Sequence, residues 1–249
     1  TVIGVDAVAK AGERHTFGAV ANSFAVNQSL VKNLPYNLDT DLVPVVLLAR
    51  TANVLAVRPE LPIRNLPELI AYAKKNPGKL SYASQGNGTS AHLAGEMFEN
   101  IAQVKLMHIP YRGAGPAMTD LLGGQVTGMI ASMALVLPHV QTGKLVPLGV
   151  SSPQRSPQIN SVAPIADTLP GFEAQSWTGM IAPAGTPKPI TDKLHAALMK
   201  ALASPDVREK LSAQGVEVVG GTQAEFADWL AKESQRWGKV IKAANVKPE

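Results

Sequence analysis

The sequence predicts an α/β protein, and three observations carry that prediction. Strand-like apolar runs alternate with helix-period stripes along most of the chain, the pattern expected of largely parallel sheets. The strand candidates end in Gly, Pro, Asn or hydroxyl residues that open the next helix. Finally, 249 residues at 45% hydrophobic content suffice for one large domain or two lobes. Charged residues make up only 17%, which excludes a disordered chain. Aromatics make up 5%, so the core must rest on Ala, Val, Leu and Ile.

The elements follow in order. Residues 2–11 read as a helix, 15–20 as a short strand, and Asn22-Ser23 as a polar turn opening a helical stretch to Leu30. Residues 43–49 and 53–57 are apolar, β-branched runs bounded by Pro44 and Pro59. Asn65 offers an N-cap with Glu68 at the third helical position, opening an amphipathic helix that stops at Asn76-Pro77-Gly78. A strand over 80–84 leads into a loop, and Thr89 caps a helix with Leu93, Met97 and Ile101 at four-residue spacing. Residues 106–109 form the next strand, Gly113 and Gly115 a turn, and Pro116 the start of a helix that ends at Gly123-Gly124. Strands over 126–130 and 145–150 enclose a short helix, and 151–164 is loop-rich. After a strand over 177–181 the remainder reads as mostly helical: 187–202, a second helix capped by Ser204, and a last one capped by Thr222 with Phe226, Leu230, Trp237 and Ile241 on one face.

Composition also excludes functions. The net charge is +4, shared evenly between the halves with no basic run, which argues against nucleic-acid binding. Without cysteine there is no disulfide, thiolate metal site or thiol nucleophile. The longest uncharged run, 121–143, is broken by Gly123, Gly124, Gln125 and Pro138, leaving far fewer than the ~20 apolar residues a membrane helix needs.

Three strand-to-helix turns stand out chemically. Ser84-Gln85-Gly86-Asn87-Gly88-Thr89-Ser90 is rich in glycine and hydroxyls; it suits a carboxylate or phosphate at a helix start, or is an ordinary tight turn. It has neither P-loop nor dinucleotide spacing. His92 and Glu96, four apart on the following helix, have the spacing of two metal ligands but no third, so local hydrogen bonding is the simpler role. His108-Ile109-Pro110-Tyr111-Arg112-Gly113 places a phenol and a guanidinium beside the next turn; Arg112 suits a bidentate carboxylate contact, a solvated surface, or a pairing with Asp120. Ala131-Ser132-Met133 supplies one hydroxyl. No nucleophile elbow, carboxylate pair or histidine with evident catalytic partners accompanies these turns, which indicates binding without chemistry.

A series of short motifs runs through the chain. Leu34-Pro35-Tyr36-Asn37, Asp41-Leu42-Val43-Pro44-Val45, Pro67-Glu68-Leu69-Ile70 and Asn76-Pro77-Gly78-Lys79-Leu80-Ser81-Tyr82-Ala83-Ser84 precede Gly86-Asn87-Gly88-Thr89 and His92-Leu93-Ala94-Gly95-Glu96. Then come His108-Ile109-Pro110-Tyr111-Arg112-Gly113, Asp120-Leu121-Leu122-Gly123-Gly124-Gln125-Val126 and Gly143-Lys144-Leu145. Pro170-Gly171-Phe172-Glu173, Trp177-Thr178-Gly179 and Ala182-Pro183-Ala184-Gly185-Thr186-Pro187 complete it. In order and spacing the series resembles the Bug or TctC-type extracytoplasmic solute receptors of tripartite tricarboxylate transporters.

The resemblance implies a two-lobed, type II-like periplasmic-binding-protein fold with a ligand cleft between the lobes, closing by a hinge. Lobe I would comprise 1–55 and 176–249, and lobe II 56–175. It implies a periplasmic, monomeric receptor with no catalysis, cofactor, metal, nucleic acid or direct membrane insertion. The ligand would be a small carboxylate, a dicarboxylate or an aromatic one, passed to the membrane components of a transporter. A sensor subunit that reports to a signalling protein is the alternative, and an enzyme acting on a small carboxylate a more distant one. In the family the carboxylate is held largely by main-chain amides, hydroxyls and bridging water at strand-to-helix loops. That implies ligand-binding roles for Ala21, Asn22 and Ser23; for Ser84, Gly86, Asn87, Gly88, Thr89 and His92; for Tyr111 and Arg112; and for Ser132 from the second lobe. Family members often carry an acidic residue where Ala131 stands, so its absence points away from an amino-acid ligand. They also have a strand, a Pro-Gly-Gly type loop and a helix before the point where this sequence starts. The resemblance thus implies that a βαβ-sized piece, roughly 30 residues or more, and a secretion leader lie outside it.

Overall fold

A computed structural model describes residues 2–12, 15–244 and 246. In chain order the elements are α1 (Val2–Ala9), β1 (Gly18–Ala21), α2 (Asn22–Leu30), β2 (Leu42–Thr51), β3 (Asn53–Val57), α3 (Leu66–Lys75), β4 (Ser81–Ser84), α4 (Ser90–Ala102) and β5 (Met107–Pro110). They continue with α5 (Ala114–Leu122), β6 (Gly128–Ser132), α6 (Met133–Gln141), β7 (Val146–Val150), β8 (Ser176–Pro183), α7 (Lys188–Ala203), α8 (Pro205–Ala213), β9 (Val216–Gly220) and α9 (Gln223–Ala244).

The chain divides into two compact units, one taking the residues up to Arg50, Trp177–Ala213 and those from Glu217, the other Thr51–Ser176 with 214–216. The division falls at the end of β2, so residues 51–55, Ser176 and 214–216, expected with lobe I, group with the second unit, where Ala52, Val54 and Ala56 sit in the core.

The first unit is built on a sheet of order β1-β8-β2-β9, with β1 antiparallel to β8. Val5, Val8, Val20, Phe24, Trp177, Ile181, Phe226 and Leu230 form its core. Gly179 on β8 lies under Phe226, where any Cβ would overlap the ring. The helix stripe read from the sequence is buried as expected, with Phe226, Leu230, Trp237 and Ile241 on α9 all inside. Glu233 is buried on the same helix and accepts from two indoles, Trp177 Nε1 at 3.0 Å and Trp237 Nε1 at 2.9 Å. Arg236 pairs with its other oxygen at 2.5 Å. Those contacts give the buried carboxylate the partners it needs.

The sequence reading missed β9, placing it within a helical remainder. The strand has only five residues, Val216–Gly220, too few to show a clear period between two helices. Arg50 on β2 secures β9 by pairing with Glu217 at 2.7 Å, and its guanidinium lies over Trp229 at 5.4 Å.

The second unit carries the sheet β5-β4-β6-β3-β7. Strand β4 runs parallel to both β5 and β6, whereas β3 runs antiparallel to β6 and β7. The sheet is thus mixed rather than largely parallel. Strand β3 arrives directly from the first unit and needs no crossover helix, which parallel pairing would demand. In consequence the carboxyl ends of β5, β4 and β6 share one edge with Asn53 at the start of β3, which pairs with Ser132.

Local signals explain the helices around this sheet. Asn65 accepts from Glu68 N at 2.9 Å and caps α3, as the sequence indicated. Helix α5 starts at Ala114, two residues before Pro116. Gly113, at φ 111°, makes the turn, and Pro116 falls within the first turn where its missing N–H costs nothing. Gly95 on α4 lies against Tyr82 of β4; a Cβ there would overlap the phenol ring, so the glycine lets helix and strand close together.

Candidate functional site

The most developed turn of the second unit joins β4 to α4. Thr89 is extended, φ −78° and ψ 161°, and its hydroxyl accepts from His92 N at 3.4 Å as the helix cap. The same hydroxyl donates to Gly86 O at 2.7 Å. Gly86 at φ 129° and Gly88 at φ 70° adopt conformations that L-residues rarely take, and a Cβ on Gly86 would crowd Tyr111 O at 3.3 Å. Glycine at both positions is therefore a backbone requirement. Asn87 sits half-buried between them.

Beneath the loop lies a stack of rings. Tyr82 and His108 stack with centroids 4.9 Å apart, and His108 and His92 stack at 4.1 Å, within 6° of parallel. His92 is buried, and its Nδ1 accepts from Gly88 N at 3.1 Å. Its Nε2 lies 3.5 Å from Glu96 Oε1. His108 Nε2 is 2.7 Å from Ser84 Oγ, which accepts from Gly86 N at 3.2 Å. Desolvation, reinforced by His92, pushes the His108 imidazole down to about 4, against the pull of Glu96. The His92 ring N–H holds the Glu96 carboxyl below its usual range, while burial raises that of Glu99, which pairs with Lys105 at 3.2 Å.

The chain after β5 folds against this loop. Tyr111 N donates to Ser84 O at 3.1 Å and Gly113 N to Gln85 O at 3.3 Å. Tyr111 Oη donates to Asp120 at 2.7 Å, and desolvation together with that carboxylate pushes the phenol up to about 12. Asp120 is therefore engaged by Tyr111, and Arg112 stands exposed with no ion pair to it among the described residues. Ser132 ends β6 at the same edge, half-buried, where it precedes α6 without a side-chain cap bond. Ala131 is fully buried and packs in the core of this unit.

Ser84, Gly86, Asn87, Gly88, Thr89, His92, Tyr111, Arg112 and Ser132 thus fall on one unit, at one sheet edge or just behind it. Ala21, Asn22 and Ser23 belong to the other unit, at the junction of β1 and α2. There Ala21 is exposed and Asn22 is buried, its Oδ1 accepting from Trp177 N at 3.0 Å. His108 is the residue that sequence reasoning left out. Its strand position hid it, although its register opposite Tyr82 on β4 pairs it with the ring it stacks on. Among the described residues no group of three or more His, Asp or Glu is placed to hold a metal ion, and His92 and Glu96 contact each other instead.

What the β4–α4 turn presents is donors. The amides of Ser90 and Ala91, first in α4, have no acceptor among the described residues. They are the orphan donors of a helix start, where the backbone dipoles favour negative charge. The sequence profile of the tripartite tricarboxylate transporter family receptor matches residues 1–246. The chain belongs to that family. A protein encoded in the tcbD-tcbE intergenic region of Pseudomonas sp. strain P51 is 41% identical over 243 residues, covering 96% of this chain and 72% of that relative. Among solved structures, an R. palustris protein with adipate superposes with a TM-score of 0.92 at 31% identity, covering all of this chain and 84% of that one. The periplasmic binding protein BugD gives 0.91 at 32% identity, with 100% and 84% coverage. MatC from Rhodopseudomonas palustris with bound malate gives 0.87 at 30% identity, with 96% and 84% coverage. This family member thus has the α/β fold of periplasmic binding proteins, and it is a solute-binding receptor rather than an enzyme. No helix among the described residues is long and apolar enough to cross a membrane.

Proposed function

We propose that this receptor captures a small carboxylate in the periplasm, as a monomer, and passes it to the membrane components of a tripartite transporter. The observation that carries the reading is the start of α4: the amide of half-buried Ser90 without an acceptor among the described residues, behind a glycine loop, at the carboxyl edge of three parallel strands. Open α/β sheets place ligands at that edge, and a carboxylate is the anion that the adipate and malate complexes of related receptors hold. Thr89 fixes the loop, and Ser132 adds a hydroxyl along the same edge. With Arg112 exposed, the main chain supplies most of the recognition, which suits a compact, strongly hydrated anion.

Calorimetric titration tests this. Adipate, malate and benzoate are each titrated into the protein, with adipamide as the uncharged control. Binding of at least one of the three acids and none of the diamide is the expected result. Equal binding of adipate and adipamide, or no binding of any acid, overturns the reading.

A further inference from the structure

We propose that His92 and His108 are the positioning pair of the β4–α4 turn: two stacked imidazoles that hold its two ends, with His92 deprotonated at Nδ1. The proposal rests on the reading that this turn receives the ligand. Gly88 N donates to His92 Nδ1 at 3.1 Å, so that nitrogen must carry a lone pair and the ring proton sits on Nε2, facing Glu96. At the other end His108 Nε2 is tied to Ser84 Oγ at 2.7 Å, and Ser84 Oγ takes the Gly86 amide at 3.2 Å. Two of the loop's amides are thereby turned inward onto side chains, and that of half-buried Ser90 is left for a ligand. A proton on His92 Nδ1 would set one N–H against another and release Gly88. The groups facing the pair set the tautomer, although the Glu96 carboxylate also attracts a second proton. Tyr82 of β4 covers the second face of His108 and donates to His92 O at 3.3 Å; Glu96 of α4 accepts from Nε2; Glu99 and its partner Lys105 lie beyond. Carboxylate affinity should accordingly fall on acidification, although a carboxylate ligand stays ionised well below neutrality.

Side chains of matched reach separate this role from packing. An Asn amide reaches about as far as Nδ1 and a Gln amide about as far as Nε2, so the two sites should show opposite preferences. With adipate as the probe at pH 7.5, His92→Gln should weaken binding about tenfold or more, and His92→Asn should recover most of that loss and remove the acid sensitivity. At His108 the order reverses, with Gln recovering what Asn loses. Equal effects of Asn and Gln at both sites would mean simple packing and overturn the proposal. A ligand-free measurement runs beside it: the Gly88 amide, followed by NMR hydrogen exchange, should lose protection as His92 takes its second proton. A Gly88 amide indifferent to that protonation, or a His92 found protonated at Nδ1 at pH 7.5, overturns the linkage whatever binds. If the wild type binds no adipate or malate while Gly88 follows His92, the ligand reading fails and the imidazole linkage stands.

Discussion

Two strand-to-helix turns, β1–α2 of the first unit and β4–α4 of the second, meet the same need in opposite ways. At β1–α2 there is no loop at all: Ala21 ends the strand and caps the helix, and Asn22 is already helical and buried. Its side-chain oxygen is taken by Trp177 N, and the Trp177 indole is held in turn by Glu233. At β4–α4 five residues intervene, two of them glycines at positive φ, and imidazoles replace the amide side chain as the support. The first turn is fixed by an amide side chain, backed by a carboxylate buried among donors. The second is fixed by imidazoles, whose hydrogen bonds depend on which ring nitrogen carries the proton. Both turns are supported from beneath, yet only in the second does a titratable ring bond the loop itself.

Breaking the support of the first turn should have the largest effect. Glu233→Leu leaves two buried indole N–H groups and Arg236 without their acceptor, and should cost about 3–5 kcal/mol of stability. Urea unfolding followed by tryptophan fluorescence reads it; a loss under about 1 kcal/mol would mean that the carboxylate supports nothing. Asn22→Ala strands a single buried backbone N–H at Trp177, for which about 1–3 kcal/mol is expected in the same assay. In the second turn, Thr89→Ala removes the cap of α4 and the clamp on Gly86, and should cost about 1 kcal/mol. Because it loosens the loop, it should also weaken adipate binding, whereas Asn22→Ala should change stability more than affinity.

A further effect is on the pH dependence of stability. His108 is held neutral in the fold down to about 4, against 6.5 for an ordinary histidine. The unfolded chain therefore binds a proton first as the pH falls. Stability should be at its full value above about 6.5, decline between 6.5 and 4, and lose nothing further from this residue below that. Comparison of chemical unfolding at pH 7 and pH 5 measures it, and His108→Gln should flatten the difference. An unchanged slope in the variant would place the acid sensitivity elsewhere.

Much of this was legible in the sequence where a residue's role is local. Asn65 with Glu68, Thr89 before an apolar stripe, and Gly-rich turns after strand runs announce caps and turns through neighbours only a few residues away. The family motifs located the turn at 84–89 for the same reason. What escaped depends on long-range pairing. Strand β9 is stabilised by Arg50, 167 positions away, and antiparallel β3 is placed by a register that no local pattern encodes. His108 gains its role only because β5 lies beside β4, which brings it onto Tyr82 and under His92.

The central claim is that main-chain amides at the start of α4 receive the carboxylate, and one substitution isolates them. Ser90 is the first residue of the helix, and Thr89 before it is extended, so proline at 90 fits the backbone while deleting one N–H. Adipate and malate titrated into the wild type and into Ser90→Pro give the decisive comparison. The account predicts binding to the wild type, at least about tenfold weaker binding to the variant, as the loss of a charge-assisted hydrogen bond requires, and an unchanged melting temperature. Equal affinity in a folded variant would contradict it.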